Sequence, residues 1–436
     1  MKPELDQERA KKAGTKTMDE IWIQGGRPLK GSVACGGSKN ATLPILAAVL
    51  LAEGRYNLTN VPHLMDVTTM AKMLGRFGVT SERTDAHTMV IDTRRQRNAE
   101  APYELVKTMR ASIYVLGPLL ARYGEARVSL PGGCAWGPRP VDLHIKGLEA
   151  LGARVEIDHG YIAAYAPDGL RGGTISFDVS SVGATGNTLM AAATAAGETV
   201  IENAACEPEI DALARFLTAM GATIEGIGQA RLVVHGVRAL HPADAAMIPD
   251  RIEAGTLLAA AAITGGDVEV TGVDPKHLGA VLTKFESAGA SLERSDTSVR
   301  LRAPGRPQPV KVITQPYPGF PTDMQAQFMA LLSVADGAST IADTIYHDRF
   351  THVAELQRLG ADIRVEGNTA FIRGAESLSG APVMATDLRA SAALILAGLV
   401  AGGETRVSRV YHLDRGYERL EAKLSALGAS IRRVRP

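Results

Sequence analysis

The chain has 436 residues, enough for two to four domains or for two large ones. Lys plus Arg and Asp plus Glu both number 47 and aromatics make up 5%, which argues against general nucleic-acid binding and anionic-membrane attachment but leaves a local basic pocket open. Three cysteines are too few for a disulfide framework and no apolar run reaches the ~20 residues of a membrane span, so a soluble cytoplasmic protein is expected.

Ten of the first twenty residues are charged and no apolar stretch marks a signal peptide, so Met1–Asp19 reads as a disordered tail. A first strand follows near Ile21–Gly26. Then one phrase recurs six times: the end of an amphipathic helix, a Gly, a small apolar residue, and a strand. Its glycines are Gly78, Gly152, Gly221, Gly289, Gly360 and Gly428, spaced 68 to 74 residues apart. An internal repeat of this kind defines the architecture before any single element does. Each Gly suits the left-handed position that ends a helix, where a side chain is strained. The strands that follow alternate, as in Ala153–Asp158, so each has one buried and one wet face.

Upstream in each unit lies a helix of another kind. Ala41–Ala52, Thr256–Thr264 and Ala390–Val400 are apolar nearly all round and rich in small residues, the mark of a helix enclosed on every side. Three such units make one domain and six make two. The expected fold is therefore α/β: two inside-out α/β barrels, each of three units with buried parallel helices and sheets outside. The expected division is residues 39–248, carrying the Cys134 loop, and residues 1–38 with 249–436. The second ring then takes back the strand near Ile21–Gly26, and the chain crosses between domains near residues 38 and 248.

The starts of the inner helices are polar and stand 37 to 42 residues before the unit's Gly. They read Ser38-Lys39-Asn40, Arg110-Ala111-Ser112, Ser181 to Thr185, Asp250-Arg251, Thr322-Asp323 and Asp387 to Ser391. Ser38, Thr322 and Asp387 are ordinary cap residues. Lys39, Arg110 and Arg389 oppose the helix dipole, so capping does not explain them; they point to a shared site for phosphate or carboxylate. The loop Leu130–Pro140 holds three glycines and three prolines around Cys134, with Arg139 five residues on. That thiol reads either as accessible and activated or as inert, whereas Cys35 and Cys206 read as structural. Gly36 to Asn40 lacks the spacing of a phosphate loop, Gly226-Ile227-Gly228 lacks a dinucleotide fingerprint, and no metal-ligand spacing occurs. His144 and His412, near Asp142 and Asp414, read as hydrogen-bonded structural histidines.

Taken together, Gly37 to Ala41, Met109 to Ile113, the Cys134 loop through Ile145, Ser181 to Thr185, Gly319 to Gln325, Thr386 to Ser391 and Asp414 to Tyr417 resemble the enolpyruvyl transferases. The resemblance spans about residues 20–436. The Cys loop is similar to that of the UDP-N-acetylglucosamine 1-carboxyvinyltransferase branch rather than the shikimate-pathway branch. It implies transfer of enolpyruvate from phosphoenolpyruvate to the 3-hydroxyl of UDP-N-acetylglucosamine by addition and elimination, with release of phosphate, as the first committed step of peptidoglycan synthesis. It also implies two inside-out domains and no cofactor or metal. By that match Lys39, Asn40, Arg139, Arg389 and Arg415 hold phosphoenolpyruvate. Cys134 donates a proton, forms an adduct with substrate and reacts with fosfomycin. Asp323 is the candidate base, its helix start lowering its pKa. Arg110, Arg139, Pro140, Val141, Asp142, Leu143, Val179, Ser180, Ser181, Val182, Asp323 and Ile345 line the sugar-nucleotide site, and Glu207, Glu209, Asp66 and Asp250 are structural or hinge carboxylates. Two positions depart from the family pattern: Val179, where the family often has Lys, and His347-Asp348 beside Arg349. The shikimate-pathway activity and a non-catalytic repeat scaffold are the alternatives. The oligomeric state is not legible.

Overall fold

The computed structural model describes residues 19–98, 100–107, 109–130, 141–346 and 348–435. Residues 1–18 of the expected tail lie outside it; Asp19 pairs with Arg433 and Arg435, both at 3.6 Å. The six repeats share one plan: an inner helix, a strand, an outer helix, and a strand or hairpin that returns to the sheet. The six phrase glycines have φ of +80°, +87°, +105°, +91°, +93° and +99°. The residue after each donates its N–H back across the last helical turn, as Ala153 N does to Leu148 O at 3.1 Å and Ala222 N to Leu217 O at 2.9 Å. That closure needs a left-handed residue in the middle, which is why glycine recurs there.

The inner helices are, in chain order, α1 (Lys39–Ala48), α2 (Leu116–Tyr123), α3 (Val182–Ala192), α4 (Arg251–Ile263), α5 (Gln325–Leu332) and α6 (Leu388–Gly398). All thirteen residues of α4 are buried. Arg110–Val115 and Thr322–Met324 are 3-10 turns leading into α2 and α5 rather than first turns of α-helix. Pro118, third in α2, has no N–H for the carbonyl of Tyr114, so the entry winds more tightly.

Among the described residues six sheets cover the helices, five of four strands and one of three. The fifth unit shows the pattern: Lys311–Ile313, parallel, leads Ala338–Ala342, which pairs with the hairpin Thr369–Arg373 and Asp362–Glu366. In the sixth unit Glu20–Gln24 occupies the inner hairpin position, antiparallel to both Glu404–Ser408 and Ser430–Val434. Ile21 and Ile23 are fully buried there. Lys30–Ala34 then leads the fourth unit's sheet, beside Asp267–Thr271. Ala245–Ala246 leads the first unit's sheet beside Arg55–Thr59. In the second unit the leading strand shrinks to a single bridge, Ala101 to Val128.

Buried apolar side chains form two clusters. One runs from Leu43 to Met247; the other joins Ile21, Ile23 and Leu29 to residues 252–429. The chain passes from one to the other at Gly37 and again at Pro249, and these residues bridge to each other. Ser38 N donates to Ile248 O at 2.7 Å and Asp250 N to Gly36 O at 2.9 Å. A Cβ on Gly37 would stand 1.8 Å from Asn60 O, so the paired crossing leaves no room for a side chain. Among the described residues no helix is long and apolar enough to cross a membrane.

Candidate active site

The two crossings bring the starts of α1 and α4 together. Ser38 caps α1, accepting from Ala41 N at 3.3 Å. Asp250 caps α4, its Oδ1 accepting from Ile252 N at 2.8 Å and Glu253 N at 3.0 Å, while its Oδ2 accepts from Lys39 N at 3.2 Å. One carboxylate therefore ties two helix starts that belong to the two apolar clusters. Asn40 follows Lys39 and is partly buried.

Lys39 Nζ lies 2.8 Å from Asp66 Oδ2, and Arg415 Nε lies 2.9 Å from Asp66 Oδ1. Asp66 is in the first turn of the outer helix Met65–Arg76; Arg415 ends a 3-10 turn, Val410–Arg415, whose Val410 and Leu413 belong to the other apolar cluster. Burial pushes the Asp66 carboxyl up, but the charges of Lys39 and Arg415 outweigh it and hold it below its ordinary value.

A second carboxylate sits between two cations at the start of α5. Arg389 Nη2 donates to Asp323 Oδ2 at 2.8 Å, and Arg349 Nη2 lies 2.9 Å from Asp323 Oδ1. Here too burial raises the acid and the cations, Arg389 first and Arg349 second, win by a wide margin. The sequence reading assigned the lowering to the helix start; the two guanidinium groups are the cause. Arg389 is 2% exposed, lies 5.4 Å from the ring centroid of Tyr417, and keeps Nε and Nη1 without a hydrogen-bond partner. Two buried, unsatisfied donors on a fixed cation favour an incoming anion. Tyr417 is itself fixed by hydrogen bonds to Thr256 Oγ1 at 2.9 Å and Gln327 Nε2 at 3.1 Å.

Thr322 does not cap α5. Its hydroxyl donates to Asp343 Oδ2 at 2.7 Å and accepts from Arg349 Nη1 at 2.9 Å; Met324 stands at the cap position of α5, and Pro321 at that of the 3-10 turn before it. Asp343, fully buried, also accepts from Thr314 Oγ1 at 2.8 Å and from the N–H groups of Ile345 and Tyr346 at 3.0 Å. Sequence reading passed over Asp343; an Asp at a strand end with its side chain turned back on the next loop is the signal that would have found it. Asp387 does cap α6, accepting from Arg389 N at 2.7 Å and Ala390 N at 3.1 Å.

The other helix starts carry the residues assigned to the sugar nucleotide. Arg110 heads the turn into α2 and its Nη1 is buried without a partner. Ser181 caps α3 through Ala184 N at 3.3 Å, with Val182 as the helix's first residue. Ser180 is partly buried just before, and Val179 is 62% exposed. Val141 precedes the outer helix Asp142–Ala150, which contains Asp142 and Leu143. Cys134, Arg139, Pro140 and His347 lie outside the described residues.

The four carboxylates expected to be structural or hinge groups all join elements of the two apolar clusters. Besides Asp66 and Asp250, Glu209 binds Arg251 Nε at 3.0 Å and Glu207 accepts from Tyr317 N at 3.4 Å. Burial raises the Glu207 carboxyl. His144 Nδ1 is hydrogen-bonded to Asn187 Nδ2 at 2.8 Å, and burial lowers its pKa to about 4, so it stays neutral. His412 departs from expectation: its Nδ1 is buried without a partner and its ring packs on Tyr411 at 4.2 Å, because Asp414 is taken by Arg433. Burial raises both described thiols, Cys35 strongly, and Cys35 Sγ donates to Asp250 O at 3.2 Å.

A family model described as EPSP synthase (3-phosphoshikimate 1-carboxyvinyltransferase) matches residues 23–424. A relative from Trichlorobacter lovleyi, named UDP-N-acetylglucosamine 1-carboxyvinyltransferase, is 57% identical over 96% of this chain and 99% of its own. One of the same name from Myxococcus xanthus is 56% identical over 95% and 99%. Among solved structures, the enolpyruvyl transferase NikO from Streptomyces tendae superposes with a TM-score of 0.86 at 25% identity, over 96% of this chain and 100% of that one. EPSP synthase from Acinetobacter baumannii, at 19% identity and a TM-score of 0.73 over 96% of this chain and 100% of that one, shares the fold.

Proposed function

The chain belongs to the EPSP synthase family of enolpyruvyl transferases, and from that premise we propose that it moves enolpyruvate from phosphoenolpyruvate to the 3-hydroxyl of UDP-N-acetylglucosamine. Phosphate is released, and the product commits its sugar nucleotide to peptidoglycan. The observation that carries the reading is Arg389: a cation 2% exposed, anchored to Asp323 on one side and holding two unpartnered nitrogens on the other. Such a group stabilises an anion whose charge grows during reaction, because it needs no reorganisation. The names of relatives at 56–57% identity favour the sugar nucleotide over shikimate 3-phosphate as acceptor.

In this reading the sugar hydroxyl attacks C2 of phosphoenolpyruvate while Cys134 protonates C3. The tetrahedral adduct then loses phosphate from C2 and a proton from C3. Lys39, Asn40, Arg139, Arg389 and Arg415 hold the phosphate and carboxylate. Asp323, kept ionised by its two arginines, is a weak base: it accepts a hydrogen bond from the sugar hydroxyl, orients it, and takes its proton as the O–C2 bond forms and acidifies it. Arg110, residues 139–143, 179–182 and Ile345 receive the sugar nucleotide. The domain division in this proposal is 1–38 with 249–436 and 39–248, supported by the two separate apolar clusters. A cytoplasmic location accords with the three cysteines and with both substrates.

The test is release of inorganic phosphate from phosphoenolpyruvate, with UDP-N-acetylglucosamine, with shikimate 3-phosphate, and with neither. Release that depends on the sugar nucleotide is the expected outcome. Release with shikimate 3-phosphate alone would transfer the assignment to the other branch, and no release with either would leave the scaffold reading.

A further inference from the structure

Asp66 is 3% exposed and Lys39 8%, whereas the Arg415 side chain is 31% open. Lys39 and Asp66 belong to one domain's cluster of elements and Arg415 to the other's. The Arg415 contact is lopsided: Nε at 2.9 Å from Oδ1 and Nη2 at 3.4 Å from Oδ2. Among the described residues neither Lys39 Nζ nor the Arg415 guanidinium has a second carboxylate. Two cations within reach of one carboxylate leave the group with one unmatched positive charge, and each cation has donors to spare. Without the carboxylate the two cations would repel each other across the domain boundary.

We propose that Asp66 is a positioning residue that acts as an internal counter-anion, holding Lys39 and Arg415 together in the free enzyme and competing for them with phosphoenolpyruvate and with product phosphate. This inference rests on the reading of Lys39 and Arg415 as phosphoenolpyruvate ligands. Asp66 lowers the affinity of the site for every small anion, which lets phosphate leave after elimination. It also gives Arg415 a defined place from which to turn toward the substrate, so the pair is assembled before the anion arrives.

The experiment compares Asp66→Asn, Asp66→Ser and Asp66→Glu with the parent, using inorganic phosphate as the probe. Calorimetric titration and product inhibition give the phosphate affinity; steady-state kinetics give kcat and the KM for phosphoenolpyruvate separately. In Asp66→Asn and Asp66→Ser phosphate should bind about tenfold tighter, the KM should fall, and kcat should fall more than the KM does. Asp66→Glu, which keeps the charge, should hold phosphate affinity within about twofold of the parent. Unchanged or weaker phosphate binding with a raised KM would mark a merely structural carboxylate and overturn the proposal. Two neutral variants are used so that a folding defect in one leaves the other to decide. Lys39→Ala and Arg415→Ala run alongside: if neither raises the KM, the phosphoenolpyruvate reading itself fails, whereas if both raise it and the Asp66 variants leave phosphate binding unchanged, only the counter-anion role fails.

Discussion

Asp66 and Asp323 make the same motif in different settings. Each is a carboxylate between two cations, and each is held below its ordinary pKa against the pull of burial. The cations of Asp323, Arg349 and Arg389, come from its own domain, 26 and 66 residues further along the chain. Those of Asp66 come from both, Lys39 nearby and Arg415 349 residues away. The Asp323 group is therefore made by elements around one apolar cluster, while the Asp66 group needs elements of both. A site built this way has one half held within a single cluster of elements, the rigid half, and one half shared between two, which suits a reaction between two bound anions.

The largest expected effects fall on the three cations, one in the rigid half and two in the other. Arg389→Ala should lower kcat by about 2–4 kcal/mol of transition-state stabilisation, since a preorganised cation in a water-excluded site is lost. Arg415→Ala and Lys39→Ala should fall in the same range while changing Tm far less than they change turnover. Steady-state kinetics beside thermal melts check this. Near-normal turnover in any two of the three would remove the anion-binding reading of both halves.

Arg349→Met tests the electrostatics of the rigid half separately. Asp323 has a folded pKa below its unfolded value, so its pairing contributes stability above the ordinary carboxylate range near 4, and loses it as pH falls through the folded value. The variant leaves Asp323 with Arg389 alone. It should be destabilised by about 1–3 kcal/mol at neutral pH, and the gap to the parent should narrow as pH drops below about 4. Denaturant melts across that range decide it; a gap that is constant with pH would mean Arg349 acts through packing only.

How much of this was legible beforehand follows the range of the interactions. The six glycines, the apolar inner helices and the 68–74 residue spacing are local signals, and they lead directly to the inside-out α/β architecture. Lys39, Arg110 and Arg389 stood out because a cation at a helix start is misplaced unless something anionic faces it. Which carboxylate faces which cation was not legible. Asp66 and Arg415 meet only through the domain arrangement, and Arg349, set in doubt by its unusual neighbours His347 and Asp348, turns out to pair with Asp323. Thr322 looked like a cap and is instead a relay between Asp343 and Arg349, because a 3-10 turn, Thr322–Met324, sets it a full turn ahead of α5.

Thiol labelling separates the Cys134 assignment from the two buried thiols. Burial raises Cys35 well above its ordinary value and raises Cys206 as well, so neither has much thiolate at neutral pH. On the proposed assignment fosfomycin should therefore alkylate Cys134 alone, and faster with UDP-N-acetylglucosamine present, if the nucleotide completes the site around that thiol. Mass spectrometry of digests, with and without the nucleotide, reads this directly. Equal labelling of all three thiols, or protection of Cys134 by the nucleotide, would contradict it.

The smallest expected effect concerns Val179, 62% exposed where the family often has Lys. An exposed valine offers the nucleotide no charge, yet the loop is not without a cation: Lys146 Nζ lies 2.8 Å from Asp178, the residue before Val179. Both partners are largely exposed, so this pair is weak and Lys146 is easily drawn to a diphosphate. Val179→Lys should therefore lower the KM for UDP-N-acetylglucosamine only about two- to fivefold, with kcat and the KM for phosphoenolpyruvate unchanged, because the added ammonium works in a screened, solvent-rich position. Lys146→Ala should raise the same KM by a similar factor, and the double variant should return close to the parent. Independent effects in the double variant would show that the two positions do not serve the same phosphate, and a change in kcat with either would place this loop nearer the reacting atoms than the sugar-nucleotide end of the site.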